Sequence, residues 1–569
     1  MKYATIGLAV AGSSALMLTA CGGDSGATAE APAAASPQLL ASASSGGTGA
    51  RMSPAAAARF LGQASFGPTM GAISDVSARG ADAWLSTEFA KPARSHRAAY
   101  NAAQALSPGG KSGQDLFLET FWQQAARGDD QLRQRVKFAL SQIFVISLAD
   151  GTVDDTPRGV AGFYDILGQH AFGNFRALLQ DVALHPMMGR YLSYMSNQRE
   201  SGFRQPDENF AREIMQLMTI GLYQLNQDGS PRLQNGAPIE TYNHDDVAGL
   251  AKVFTGWSWA GPDNNSLRFK SGVADPDRDW KPMQLYPSYH SSSEKHFLGV
   301  SVNSGGEAEL KLALDTLFNH PNVGPFFGRQ LIQRLVSSNP SPGYVSRVAA
   351  AFANNGAGVR GDMKAVLRAV LLDPEARQNF GLRAAKLREP VLRQANWMRA
   401  FEATSASGRF QIGQQDDALT GLAQTPMRSP SVFNFFRPNY SPPNTAIAAA
   451  ALVAPEMQIT AEPSVTGYLN QMQDVVPNGV GYGHDVKAGY AAELKLAANP
   501  PALLDRVNLL LLNGAMSTVL RSQILAAVNS VALPAATAAN AAAVAKAQHN
   551  RVWLAVYLSL ASPEYLVQK

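Results

Sequence analysis

Cysteine is nearly absent from this chain of 569 residues, which contains only Cys21. The rest of the chain therefore cannot form an intrachain disulfide, a thiolate metal site or a cysteine nucleophile. The pattern His-Glu-x-x-His is also missing, which excludes a zinc-protease site of that helical type. Beyond the N-terminal segment, no apolar run approaches the roughly 18 residues that a spanning helix needs.

Charged residues are also scarce, at 16% of the chain, and neither sign dominates. The 48 Lys and Arg residues are interspersed with 44 Asp and Glu residues and form no basic stripe of the kind that binds nucleic acid. Nucleic acid is therefore not an expected partner. The hydrophobic fraction of 46% is ample for a large buried core.

The N-terminus has the pattern of an export signal. Lys2 precedes an apolar stretch from Ala4 to Leu18, which is typical of a signal peptide and is too short to span a membrane. The ending Leu18-Thr19-Ala20-Cys21 resembles the bacterial lipobox, in which the cysteine is acylated and becomes the new N-terminus. We therefore expect a signal peptide at 1–20 and a lipid anchor on Cys21. The alternative is a secreted protein with a leftover thiol.

Residues 21–52 are rich in Ala, Ser, Gly and Pro, a composition that buries too little apolar surface to fold and predicts a flexible tether. Gly22 follows the predicted acylation site. By resemblance to lipoproteins of bacteria with two membranes, the lack of aspartate there favours the outer membrane. We expect the body to lie in the periplasm or at the cell surface.

The body, residues 53–569, is predicted to be mainly α, built from packed helix pairs. Ser53 and Thr69 are placed as N-caps. The exception is a loop-rich insertion at about 224–302, and sub-boundaries are expected there and near 465–500. The predicted helices include 175–184, 208–221, 245–254, 307–318, 323–336, 344–352, 359–372, 382–401, 503–512 and 535–560.

Blocks of sequence spread along the body resemble the bacterial domain-of-unknown-function family 1800. They include FLGQASFGPT at 60–69, PDENFARE at 206–213, TGWS at 255–258, SPSVFNFFRP at 429–438 and SPEYLVQ at 562–568. The resemblance implies an exported protein that often accompanies a second exported, sulfatase-like family, and it implies no activity. The chain departs from a common family pattern at 139–144, where many relatives carry a histidine.

The strongest candidate site lies on the predicted helix 208–221. Asn209, Arg212, Glu213 and Gln216 fall at i, i+3, i+4 and i+7, which makes one polar stripe on an otherwise apolar helix. A helix that is apolar nearly all round is buried, so the stripe faces an internal polar cleft or another buried group. An internal ion-pair network, such as Glu208 with Arg212, is the structural alternative to a functional site.

Two further segments carry candidate side chains. In the first segment, Asn243 or Asp245 caps a helix and the acids there favour its positive end. Alternatively, these acids and His244 act with Glu213 as ligands or as a general acid–base set. His290 and Lys295 belong to a polar stretch, which indicates a solvated loop or a contribution to an anion or metal site. The candidate catalytic residues are Glu208, Arg212, Glu213, His244 and Asp245, and the candidate ligands of a divalent metal are Glu213, Asp245, Asp246 and His290.

An aromatic segment near the C-terminal third contains Phe433, Phe435, Phe436 and Tyr440 together with Arg437. Such a cluster packs in a core or forms a platform on which sugar rings stack. The spacing alone leaves both interpretations open.

Two functions follow. The first is an accessory or binding lipoprotein of the envelope, which acts with a polysaccharide or with the exported sulfatase-like partner that the resemblance implies. The second is a metal-assisted hydrolase or transferase with a site built from Glu208, Arg212, Glu213, His244, Asp245 and His290. The second function requires Glu213, Asp245 and His290 to converge within a few ångströms.

Overall fold

The computed structural model describes residues 51–107, 109, 113–273, 275–378 and 385–568. The predicted signal peptide, the predicted lipidation site Cys21 and the tether up to residue 50 lie outside the described residues. Within the described residues, α-helices form the bulk of the fold and the strands form only short two-stranded sheets. The predicted mainly-α body is confirmed.

The first part of the described chain, from residue 51 to about residue 191, is helical over most of its described length. Its helices are α1 (Pro54–Ala64), α2 (Met70–Arg79), α3 (Ala81–Ala90), α4 (His96–Leu106), α5 (Gln114–Arg127), α6 (Gln131–Ser141), α7 (Pro157–His170), α8 (Phe175–Leu184) and α9 (Pro186–Tyr191). The predicted caps are confirmed, because Ser53 Oγ accepts a hydrogen bond from the Ala56 amide and Thr69 Oγ1 accepts one from the Ala72 amide.

The middle third contains α10 (Asn209–Glu213), α11 (His244–Val253), α12 (Ser266–Phe269), α13 (Gly306–Asn319), α14 (Val323–Leu335), α15 (Pro342–Ala353), α16 (Met363–Leu371), α17 (Pro374–Arg377) and α18 (Pro390–Ala400). Only the first part of the predicted helix 208–221 is α-helical. Helix α10 ends at Glu213, and a π-helical turn follows at Ile214–Thr219. The predicted helix 382–401 begins only at Pro390, because a residue that precedes proline is driven out of the helical region.

The C-terminal third contains α19 (Ala446–Ala449), α20 (Glu462–Asn478), α21 (Ala491–Leu494), α22 (Pro500–Leu512), α23 (Thr518–Ser530), α24 (Ala541–Ala561) and α25 (Pro563–Leu566). Three 3₁₀ turns, Pro287–Tyr289, Pro455–Ile459 and Tyr482–His484, complete the helical elements of the described residues. In the described part of the chain, no helix has both the length and the apolar character needed to cross a bilayer.

Within the residues that the structure describes, the strands pair into five antiparallel ribbons. They are β1 (Leu233–Gln234) with β2 (Ala237–Pro238), β3 (Trp257–Ser258) with β4 (Gln284–Leu285), β5 (Lys295–Phe297) with β6 (Val300–Val302), β7 (Lys386–Leu387) with β10 (Val567–Gln568), and β8 (Thr404–Ser405) with β9 (Val486–Lys487). Three of these ribbons lie in the segment 224–302, whose described residues otherwise form loops, the helices α11 and α12 and the 3₁₀ turn Pro287–Tyr289.

Helix α14 and the elements that pack against it position the candidate site. It contacts α6, α15 and the π-helical turn. Its Phe327 is fully buried, with its ring 4.6 Å from that of Phe175 in α8. All of the described residues belong to one compact unit, so the sub-boundaries near 224–302 and 465–500 stay predictions.

Candidate functional site: an arginine and glutamine cleft

A cleft of about 670 Å³ opens beside α14, and we call it the Arg–Gln cleft. Its size is that of a small-molecule or oligomer-segment site. Its lining residues are Gln142, Ile143, Gln216, Leu217, Gly221, Leu222, Tyr223, Leu225, Gly229, Pro231, Phe326, Arg329, Gln330, Gln333, Arg334, Val432, Phe433, Arg437, Pro438 and Asn439.

One face of α14 forms a wall of the cleft. Five residues of this helix line the cleft, and their spacing of three, one, three and one positions places them on one face. They are Phe326, Arg329, Gln330, Gln333 and Arg334. The rest of α14 is apolar and buried. Sequence reasoning overlooked this stripe, although its pattern is the same as that noted on the segment 208–221.

The π-helical turn supplies the second wall through Gln216 and Leu217. Its wider winding is seen in the bond from the Ile220 amide to the Met215 carbonyl, at 3.0 Å, which joins residues five apart. Gly221 follows the end of the turn by two residues; its φ is +72°, and a Cβ there would lie 2.8 Å from the Phe326 ring. Both the backbone angle and this close approach require glycine.

Asn322, which is 1% exposed and precedes α14, holds the adjoining hairpin against the helix. Its Oδ1 accepts a hydrogen bond from the Leu225 amide at 2.9 Å. Its Nδ2 donates to the carbonyls of Ile220 and Tyr223, each at 2.8 Å. These bonds fix the position of Tyr223 and Leu225 at the cleft.

The third wall is the aromatic segment 432–439. Gln333 Nε2 donates to the Pro438 carbonyl at 3.0 Å and ties this segment to α14. Phe433 is 36% exposed, and the Arg437 guanidinium lies 4.7 Å from the centre of its ring. Phe435 and Phe436 are buried, so this segment provides both core packing and one accessible aromatic ring.

The deep end of the cleft is formed by Arg334 and Gln142, both nearly fully buried. Arg334 donates to the carbonyls of Gln142, at 2.8 Å, and Gln330, at 3.3 Å, while its Nε has no hydrogen-bond partner. Gln142 donates to Glu389 and keeps Oε1 without a partner. Burial lowers the pKa of Arg334 to about 10, so the guanidinium remains charged at neutral pH.

A buried charge cluster lies behind this end of the cleft. Lys386 Nζ is 2.8 Å from Glu456 and 3.8 Å from Glu389, and all three side chains are buried. Arg135 and Lys386 both donate to the Arg334 carbonyl. Burial lowers the pKa of Arg135 to about 10 and raises that of Glu456.

The predicted catalytic residues lie in different parts of the structure, although three of them are neighbours. Glu208 and Arg212 form the ion pair anticipated as an alternative, at 2.9 Å, but both side chains are partly exposed. His244 Nδ1 lies 3.9 Å from Glu208, so these three residues meet at the start of α10. None of them lines the Arg–Gln cleft.

The acids of the predicted site have different surroundings. Glu213 is 7% exposed, burial raises its pKa, and one of its oxygens has no partner. Asp246 forms a capping box with Asn243 at the start of α11 and accepts a hydrogen bond from the Leu298 amide at 2.6 Å. Asp245 is exposed. The capping interpretation of this segment is confirmed.

His290 belongs to a different cluster and is 6% exposed. Its Nε2 is 2.9 Å from Glu309 and its Nδ1 is 2.7 Å from the Thr255 carbonyl. Lys295 Nζ is 2.8 Å from the same Glu309 carboxylate. The expected solvated loop is therefore buried at these positions, because Glu309 from α13 pairs with both of them.

The predicted metal ligands are not grouped. Among the residues that the structure describes, no three His, Cys, Asp or Glu side chains lie close enough together to hold a metal ion. The hydrogen-bond partners of His290 include neither Glu213 nor Asp245. Catalysis by Glu208, Arg212, Glu213, His244 and Asp245 stays a prediction.

The fold and the cleft define a multi-helical protein with a cleft that is lined by arginine, amide and apolar side chains. The chain belongs to the family described as "Protein of unknown function (DUF1800)", which matches residues 59–567. This match confirms the resemblance seen in the sequence. No curated protein and no solved structure matches the chain. Gln142 and Ile143, which line the cleft, belong to the segment where the resemblance implies a histidine in many members.

Proposed function

We propose that this DUF1800 member is a lipid-anchored protein of the bacterial envelope whose helical body binds polysaccharide in the Arg–Gln cleft. The supporting observation is the chemistry of the lining. Guanidinium, amide, aromatic and aliphatic side chains line the cleft, and the described lining residues include no Asp, Glu, His, Lys, Ser, Thr or Cys. Such a set recognises hydroxyl groups and sugar rings. Among the described lining residues the Tyr223 phenol is the one group of a kind that commonly acts as a nucleophile or a general base, which favours binding over catalysis.

The π-helical turn is a second support for this site. Turns of this kind are rare and occur often at functional positions, because the extra residue redirects side chains. Here the turn directs Gln216 to the cleft, and the Gln216 side chain makes no hydrogen bond within the described chain. An unpaired amide at a cleft is available to donate to and accept from a ligand.

The anchor is proposed from Cys21 and the lipobox-like residues before it. The test is Cys21→Ala, expressed with its own leader and compared with the wild type by membrane fractionation and by mass spectrometry of the N-terminal peptide. The wild type should sediment with membranes and carry acyl chains, and Cys21→Ala should appear in the soluble fraction. Equal membrane association of both proteins would refute the anchor.

Binding is tested with the full-length protein in detergent, by affinity electrophoresis in gels that contain neutral or acidic polysaccharides. We expect retardation by at least one polymer, loss of retardation in Phe433→Ala and Gln216→Ala, and no change in Leu419→Ala, which is exposed outside the cleft. The polymer should keep its length on prolonged incubation. Failure of every polymer to retard the folded protein would refute the proposal.

An accessory role agrees with this chemistry. A protein that holds a polymer without cleaving it is suited to present that polymer to an exported enzyme, and the family resemblance implies a sulfatase-like companion. The competing hydrolase or transferase has its own test, which is metal analysis of the purified protein. A stoichiometric metal that is lost in Glu213→Ala would favour the enzyme over the accessory role.

A further inference from the structure

All of the charged side chains that line the Arg–Gln cleft are positive. They are Arg329, Arg334 and Arg437, and the described lining residues include no carboxylate. Arg329 and Arg437 are exposed, and neither forms an ion pair with a described carboxylate. A concave surface that carries one sign of charge concentrates ligands of the opposite sign.

The positive charge extends behind the deep end of the cleft. The buried cluster holds three cations, Arg135, Arg334 and Lys386, against two carboxylates, Glu389 and Glu456, which leaves one formal positive charge. A buried charge without a counter-charge is costly. An anion at the deep end of the cleft would provide that counter-charge next to Arg334, whose Nε has no partner.

The uncharged side chains that line the cleft indicate which class of anion it would bind. The side-chain amides of Gln216 and Asn439 make no hydrogen bond within the described chain, and Gln142 Oε1 also lacks a partner. These groups accept from and donate to hydroxyls. The partly exposed Phe433 ring offers a flat apolar surface of the kind that packs against the face of a sugar ring.

We propose that the Arg–Gln cleft binds an acidic oligosaccharide, with a carboxylate or sulfate group at the deep end near Arg334 and sugar rings along Phe433 and Arg437. This inference rests on the proposed function, because it names the chemical class of the polymer that the cleft accepts. The carboxylate and sulfate groups share the same recognition by guanidinium groups.

The test is isothermal titration calorimetry of the full-length protein in detergent with three probes of equal length. The probes are a galacturonic acid trisaccharide, a sulfated neutral trisaccharide and the same neutral trisaccharide without sulfate. We expect at least one acidic probe to bind about tenfold more tightly than the neutral probe, with an affinity that falls as salt is added. The probe that binds more tightly identifies the acidic group.

The variants are Arg329→Gln and Arg437→Gln, which are exposed and leave the core unchanged. Each should weaken binding of the acidic probe by about fivefold and reduce its salt dependence. The matched control is Arg199→Gln, an exposed arginine outside the cleft, which should bind like the wild type. Circular dichroism verifies that each variant is folded.

Three results would overturn the inference, and each has its own meaning for the proposed function. Equal affinity for acidic and neutral probes, with loss of binding only in Phe433→Ala, would refute the acidic class but retain a polysaccharide cleft. Absence of binding to all saccharides by the folded protein would refute both. Binding to phosphatidylglycerol vesicles in excess of that to phosphatidylcholine vesicles, lost in Arg329→Gln and accompanied by no saccharide binding, would assign the cleft to an anionic lipid instead, since the proposed acyl anchor alone inserts into both kinds of vesicle.

Discussion

Replacing Glu309 by glutamine is expected to destabilise the folded body by about 3–5 kcal/mol, because it leaves a buried cation without its counter-charge. Glu309 and Lys295 are both 0% exposed, and the carboxylate lies 2.8 Å from Lys295 Nζ and 2.9 Å from His290 Nε2. Its other oxygen accepts the Gly305 amide at 2.9 Å. Glutamine keeps the shape of the side chain, so the loss of charge is the main perturbation.

The assay is urea unfolding followed by far-ultraviolet circular dichroism at pH 7. Glu307→Gln is the matched control, since Glu307 lies on α13 two residues earlier and is exposed, and it should change the unfolding free energy by about 0.5 kcal/mol or less. Adding Lys295→Met to Glu309→Gln should recover much of the loss, because replacing both partners of a buried pair is tolerated better than removing one. Equal stability of Glu309→Gln and Glu307→Gln would refute the reasoning.

The destabilisation caused by Glu309→Gln is expected to depend on pH. Burial alone would raise the pKa of Glu309, but hydrogen bonds from Lys295, the Gly305 amide and His290 hold it below the ordinary value of 4.5. A lowered pKa contributes stability that is present above the unfolded value and is lost as the pH falls through the folded value. The difference in unfolding free energy between the wild type and Glu309→Gln should therefore become smaller below about pH 4.5.

Three further results are expected. Burial raises the pKa of Glu213, so ionising this carboxyl costs stability as the pH rises above its unfolded value, and Glu213→Gln should raise the urea midpoint at pH 8 and leave it unchanged at pH 4. Asn243→Ala removes the acceptor for the Asp246 amide, and thermal unfolding should show a loss of about 1 kcal/mol. Burial lowers the pKa of His185 to about 3, so the stability contributed by its neutral ring is lost as the pH falls below about 6.5. The wild type should therefore lose more unfolding free energy between pH 7 and pH 5 than His185→Gln, and an equal loss would contradict this expectation.

Local signals explain why much of the helical fold could be predicted. The helix 175–184 was predicted with the bounds that α8 has, because its apolar period and the preceding Asn174 cap are both local features. The π-helical turn could not be predicted in the same way. Its residues Ile214–Thr219 fit an α-helical period equally well, and the choice of the wider turn depends on packing against α14.

Part of the candidate site could be predicted from the sequence. Gln216, Phe433 and Arg437 belonged to segments identified as candidates, and the α14 stripe follows the same period of polar residues on an apolar helix. Their convergence could not be predicted, because it joins segments more than a hundred residues apart and depends on the tertiary fold. His290 shows the opposite error, since polar composition indicated a solvated loop while pairing with Glu309 allowed burial.

The π-helical turn also makes the cleft sensitive to the number of residues in this segment. Deleting one residue between Ile214 and Thr219 would allow an ordinary helix to form, in which each residue advances the chain by about 100°. The wider turn that directs Gln216 to the cleft would be lost, while the residues on either side of it would keep their relative orientation, because the π-helical turn holds one residue more than an α-helical turn. A length change of one residue, conservative in composition, would in this way change the surface that this segment presents to the cleft while leaving a more regular helix behind.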